Sequence, residues 1–120
     1  MLFVCEQLEE RQLLSSVVLN ATLDQIQIAG ESSDNNAIVS LSDDGTEYIV
    51  QLDGVESSYA VADVQSIRFR GWNGDDRFVN LTDLPSLAEG GLGNDSLTGG
   101  SSEDELIGGS GDDVLRARRG

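Results

Sequence analysis

An all-β fold is what this 120-residue chain predicts, on three observations. Glycine is dense from residue 71 onward and returns with a nine-residue period. Upstream of that point, short β-prone runs are divided by turn residues. The glycine-rich part cannot be helical, because each interior glycine costs about 1 kcal/mol relative to alanine. The expected architecture is N-terminal antiparallel β-strands and hairpins followed by a short parallel, flattened solenoid.

In chain order, residues 1–16, MLFVCEQLEERQLLSS, have helix-forming composition and read as an arm or short helix. Residues 17–70 hold the runs TLDQIQIAG, NAIVSLSD, TEYIVQLDG, SYAVADV and QSIRFRGW, expected to be antiparallel strands of roughly five to six residues. Tyr48, Val50 and Leu52 alternate onto one face, and Asp44-Gly45 is a two-residue hairpin signal. Residues 71–116 carry the repeat, and residues 117–120 are a tail.

Within the repeat, glycine pairs begin at Gly90, Gly99 and Gly108. Asp95, Asp104 and Asp113 follow at the sixth position, and Leu97, Leu106 and Leu115 at the eighth. GWNGDDRFV, residues 71–79, keeps Gly71, Gly74, Asp76 and Phe78. NLTDLPSLA, residues 80–88, keeps only Leu87, and Glu89 is then an extra residue. The expected apolar ladder is Phe78, Leu87, Leu97, Leu106 and Leu115. Glycines shape tight turns that visit positive φ, and the last three residues of each copy make a very short strand. Two copies then build one coil, with strands and turns stacked ~4.8 Å apart.

That stacking aligns Asp76, Asp95 and Asp113 on one edge, with Asp104 on the other beside a degenerate turn offering only Asp83. Carboxylates ~5 Å apart repel by about 1 kcal/mol in water, and by more where water is excluded. A cation between the turns removes the penalty, and an all-oxygen, carbonyl-rich, deformable cage suits Ca²⁺ better than Mg²⁺.

Composition allows this reading without choosing it. The net charge is −15, from 22 acidic and seven basic residues. It disfavours nucleic acid and anionic membranes as partners. A solubilising surface, adaptation to high salt and cation binding all fit the acidity. Cys5 is the single cysteine, so no intrachain disulfide is available, and no apolar run approaches a membrane span. The absence of histidine removes the usual general base. The acid pairs Asp43-Asp44, Asp75-Asp76 and Asp112-Asp113 all fall in glycine turns. Neither phosphate-loop nor EF-hand spacing occurs. Trp72 brings a sugar platform to mind, but one tryptophan beside a turn more often packs. No catalysis is expected.

GGLGNDSLT and GGSGDDVLR resemble, at every fixed position, the G-G-x-G-x-D-x-U-x repeat of RTX (hemolysin-type) calcium-binding proteins. GGSSEDELI departs at Ser102 and GWNGDDRFV at Trp72. The resemblance covers about the last 50 residues. It implies a parallel β-roll with Ca²⁺ held by sixth-position carboxylates and by carbonyls of the second and fourth positions. Carried over, these are Gly91, Gly93 and Asp95; Gly109, Gly111 and Asp113; Trp72, Gly74 and Asp76; and Gly100, Ser102 and Asp104. QLEERQLLS, residues 7–15, resembles the LEPR-xLL type motif of large exported planctomycete proteins, with Glu10 a departure. Both resemblances imply export to the cell surface or beyond, with an extracellular protein or glycan as possible partner. The expected role is a calcium-stabilised structural or adhesive segment; the alternative is the repeat-bearing part of a secreted hydrolase or toxin.

Overall fold

The structure, a computed structural model, describes residues 16–117. Among the described residues, eleven strands form two mixed sheets. They are β1 (Ser16–Asn20), β2 (Gln25–Ala29), β3 (Asn36–Leu41), β4 (Glu47–Leu52), β5 (Val55–Ala60), β6 (Ser66–Arg70), β7 (Arg77–Asn80), β8 (Ser86–Glu89), β9 (Ser96–Thr98), β10 (Asp104–Ile107) and β11 (Val114–Arg116). A 3-10 turn, Val61–Asp63, lies between β5 and β6, where strand was expected to continue. The first sheet runs β1-β2-β6-β8-β10 and the second β11-β9-β7-β3-β4-β5. From β6 onward, successive strands alternate between the sheets and pair in parallel.

Parallel pairing starts well before residue 71. β2 pairs in parallel with β6, and β3 with β7, where antiparallel strands were expected. Antiparallel pairing is confined to β1 on β2 and to the meander β3-β4-β5. The meander and the 3-10 turn separate two equivalent strand pairs, and this long excursion hides their relation from any short period. The hairpin signal also moves. Asp53-Gly54 is the two-residue turn, with Leu52 opposite Val55 and φ of 53° and 87°, the left-handed pair of a type I′ turn. At Asp44-Gly45 the loop is longer. Ser42 and Glu47 still share a backbone bond, and the Asp44 carboxylate accepts from the Ser42 and Thr46 hydroxyls and the Thr46 N–H. Those bonds hold its pKa below the usual range.

Inward side chains from both sheets meet in one core: Ile26, Ile28, Ile67 and Phe69 from the first, Ala37, Val39, Phe78 and Leu97 from the second. Phe69 and Phe78 stack across it at 5.1 Å. Each of these side chains larger than alanine contributes about 1.5–3 kcal/mol by leaving water. In the second sheet, register places Phe78 beside Leu97 and Leu97 beside Leu115. In the first, Leu106 stands beside Ala88, so Ala88 and not Leu87 holds the inward rung. The extra residue therefore lies in the turn before Ser86 rather than at Glu89, which restores the pleat. Leu115, on the terminal strand, stays 46% exposed. The predicted N-terminal arm, Cys5 and the export-type motif lie outside the described residues, and Ser16 already opens β1. Among the described residues no helix is long and apolar enough to cross a membrane.

Candidate metal centre

Three turns between the sheets share one shape and stack: residues 71–76, 90–95 and 108–113. Their second position is left-handed in each, at Trp72 (φ 68°), Gly91 (85°) and Gly109 (83°). So is the fourth, at Gly74 (92°), Gly93 (102°) and Gly111 (99°). Close approach is the second reason for glycine. A Cβ on Gly91 would collide with the Trp72 carbonyl oxygen, and one on Gly93 with that of Gly74. Gly109 and Gly111 stand likewise on the carbonyls of Gly91 and Gly93. Second- and fourth-position carbonyls therefore run up the edge in two columns. Of these six turn positions, Trp72 alone carries a side chain. It is 52% exposed rather than packed, with the Arg70 guanidinium 5.3 Å over its ring and Arg70 Nε bonded to Glu89 at 3.0 Å.

The sixth-position carboxylates form a third column. Asp76 Oδ1 accepts the Asn35 N–H, Asp95 Oδ1 the Asp76 N–H, and Asp113 Oδ1 the Asp95 N–H, each at 2.8 Å. The fifth-position side chains make a counter-running ladder. Asp34 Oδ1 accepts the Asp75 N–H at 2.7 Å, Asp75 Oδ1 the Asn94 N–H and Asn94 Oδ1 the Asp112 N–H, both at 2.8 Å. Side chains thus satisfy turn amides that no strand reaches.

One oxygen of each inner carboxylate is left over. Asp76 and Asp95 are 2% exposed, and their Oδ2 atoms have no hydrogen-bond partner. Each Oδ2 lies against the glycine that opens its own turn, Gly71 or Gly90. A Cβ on Gly71 would also stand 2.8 Å from the Gly90 carbonyl, so glycine leaves a cleft between two oxygens. Burial of an unpaired anion raises the Asp76 pKa to about 7, against the lowering effect of its bond from Asn35; Asp95, Asp34 and Asp53 raise it further. Asp95 is raised as well, by burial first and then by Asp113 and Asp75, its bond from Asp76 opposing. Among the described residues no three His, Cys, Asp or Glu side chains converge as a metal cluster. A cation here would be held by one or two carboxylates and by backbone carbonyls, the donor set of a hard, oxygen-seeking ion.

The opposite edge is built differently. Asp104 Oδ2 is buried and unpartnered against Gly99, but its Oδ1 accepts the Ser86 N–H and Oγ–H at 3.1 and 2.7 Å. Gly100 and Ser102 do not take the left-handed conformation of their counterparts. Ser102 spends its hydroxyl on the Asp83 carbonyl at 2.6 Å. The neighbouring turn, residues 80–85, contributes no carboxylate to Asp104; the Asp83 side chain accepts from Tyr48 instead.

Sequence reasoning missed a further turn on the first edge, GESSDNNAI, residues 30–38. Gly30 donates to the Arg70 carbonyl as Gly71 does to that of Glu89. A Cβ on Gly74 would stand 2.7 Å from the Ser33 carbonyl oxygen, continuing the fourth-position column upstream. Glycine at the first place and Asp34-Asn35 at the fifth and sixth were the available signal. Asparagine for aspartate and the lost second and fourth glycines concealed it.

Residues 88–120 match the family of the RTX calcium-binding nonapeptide repeat, in four copies. RTX nonapeptide repeats bind calcium ions, so Ca²⁺ is the cofactor of this segment. No curated protein and no solved structure matches the chain.

Proposed function

We propose that this chain is a calcium-stabilised β-roll segment of an exported protein, structural or adhesive rather than catalytic. The roll extends from β2 to β11, with the β4-β5 hairpin as an excursion from it. Calcium sits in the stacked turns of one edge, held by Asp76, Asp95 and Asp113 and by the carbonyls of Trp72, Gly74, Gly91, Gly93, Gly109 and Gly111. Asp104, with the carbonyls of Gly100 and Ser102, makes a poorer site on the other edge. The observation that carries this reading is the buried, unpartnered oxygen repeated at Asp76, Asp95 and Asp104, each beside a glycine. An orphan carboxylate oxygen costs about 1–3 kcal/mol or more, and a repeated cost of that kind calls for a repeated ligand.

Most donors are neutral carbonyls at an open edge, which sets affinity on the order of 10⁻⁴ to 10⁻³ M per site, the range of extracellular calcium modules. Such sites fill outside the cell and stay empty at cytosolic calcium. The partner is then an extracellular protein or glycan. The test compares the β-signal at low ionic strength in calcium, in magnesium and in chelator. Calcium alone should complete the fold. Equal signal in all three refutes the reading, and full rescue by monovalent salt makes charge screening the better account.

A further inference from the structure

Asparagine stands in the first turn of each edge. Asn35 sits where a buried carboxylate would otherwise be, while Asn80 stands level with the turn-opening Gly99 and Ser86 takes the place opposite Asp104. A Cβ on Gly30 would meet Asn35 Oδ1 at 2.5 Å, just as one on Gly71 would meet Asp76 Oδ2. The seat is the same, but the oxygen in it is not. Asp76 Oδ2 has no partner, whereas Asn35 Oδ1 accepts the Glu31 N–H at 2.9 Å. Asn35 Nδ2 donates to Asp53 Oδ2 at 2.8 Å, and Asp53 Oδ1 accepts the Asn36 N–H at 2.8 Å. Asp53 belongs to the β4-β5 turn, so that hairpin stands where a preceding coil would stand. On the opposite edge, Asn80 Nδ2 donates to the Leu84 carbonyl at 2.8 Å. Its Oδ1 accepts the Thr82 N–H at 2.9 Å and the Thr82 hydroxyl at 2.6 Å. A carboxamide offers both donors and acceptors and carries no charge. It can therefore close a buried turn from within, while a carboxylate in the same seat leaves an anion to be neutralised.

We propose that Asn35, held by Asp53, and Asn80 close the first turn of each edge without a cation. The calcium column then begins at Asp76 on one edge and at Asp104 on the other, and the upstream coil is a metal-independent template on which the calcium coils assemble. This rests on the calcium reading above, and it adds which turns of the roll do not take the ion.

The test exchanges the two polar groups, Asn35→Asp with Asp53→Asn, which preserves a hydrogen bond between the two positions but moves the carboxylate into the turn. Titration calorimetry should show one additional calcium per chain relative to the parent. In chelator, amide exchange at residues 36–41 should quicken at least tenfold in the variant, while in the parent those amides stay protected. Unchanged stoichiometry in a variant whose circular dichroism in saturating calcium matches the parent overturns the proposal. So does a parent whose residues 36–41 exchange in chelator as fast as residues 114–116, a measurement that needs no variant to fold. A parent that takes up no calcium at all refutes the calcium reading instead. The cation-free closure is then decided by Asn35→Ala in chelator: faster exchange at 36–41 supports it and unchanged exchange overturns it.

Discussion

The two ends of this molecule solve the same stacking problem by different means. Between β2 and β7, the inward positions are Ile26, Ile28, Ile67, Phe69, Ala37, Val39 and Phe78, all buried, and β4 adds Tyr48, Val50 and Leu52. From β8 to β11 the inward apolar side chains shrink to Ala88, Leu97, Leu106 and the half-exposed Leu115, while glycine and aspartate take over the turns. The upstream end is held by apolar area and by asparagine-closed turns. Orphan carboxylates begin at Asp76, in the turn between β6 and β7, and recur at Asp95 and Asp104 along the thinner downstream core. On the function proposed above, the same backbone stacking is independent of metal at one end and dependent on it at the other.

Removing calcium should break the comparison most visibly. In chelator at neutral pH, amides of β9, β10 and β11 should exchange at nearly unfolded rates while β2, β3 and β6 remain protected, as hydrogen-exchange mass spectrometry can read. Uniform loss of protection would mean one cooperative unit and would erase the distinction. Next in size is Phe78→Ala, which removes a fully buried, stacked ring and should cost about 3–5 kcal/mol. That loss should be nearly the same with and without calcium in denaturant titrations.

Asp95→Ala should follow, at about 1–3 kcal/mol from the lost bond to the Asp76 amide. Asp95 also stands between Asp76 and Asp113 in the column, so this variant should lower calcium stoichiometry more than Asp113→Ala does. A larger loss from Asp104→Ala would show that the ions prefer the other edge.

The pH dependence sharpens the comparison at smaller scale. Asp76 rises from an ordinary 3.8 to about 7 on folding, so the folded state favours its protonated form. Without calcium, the Asp76 contribution to stability is lost as pH rises from about 4 through 7, and acidification from pH 8 to pH 5.5 should raise the melting temperature. Asp95 acts in the same direction. With calcium the trend should reverse, since the ion needs the deprotonated carboxylates and should be released on the acid side of pH 7. A melting temperature in chelator that climbs with pH through this range would contradict the assigned burial. The smallest effect is expected from Asp104→Ala, under about 1 kcal/mol in saturating calcium, because its Oδ1 is already satisfied by Ser86 and its turn lacks the left-handed geometry.

Sequence by itself determined the glycine-aspartate period, the alignment of Asp76, Asp95 and Asp113 on one edge, and the second-sheet rungs Phe78, Leu97 and Leu115. Each follows from local rules: a fixed nine-residue spacing, the steric freedom of glycine and the two-residue pleat. Tertiary structure alone decided where the parallel stack begins, which Asp-Gly is the tight hairpin turn, and that Ala88 rather than Leu87 faces inward. It also decided that turn 30–35 belongs to the same edge as the repeats. The start of the stack and the place of turn 30–35 depend on contacts between residues 41 positions apart, such as the Asn35 amide on the Asp76 carboxylate. No short-range pattern encodes a contact across an inserted hairpin, because only the register of the folded sheets brings its two ends together.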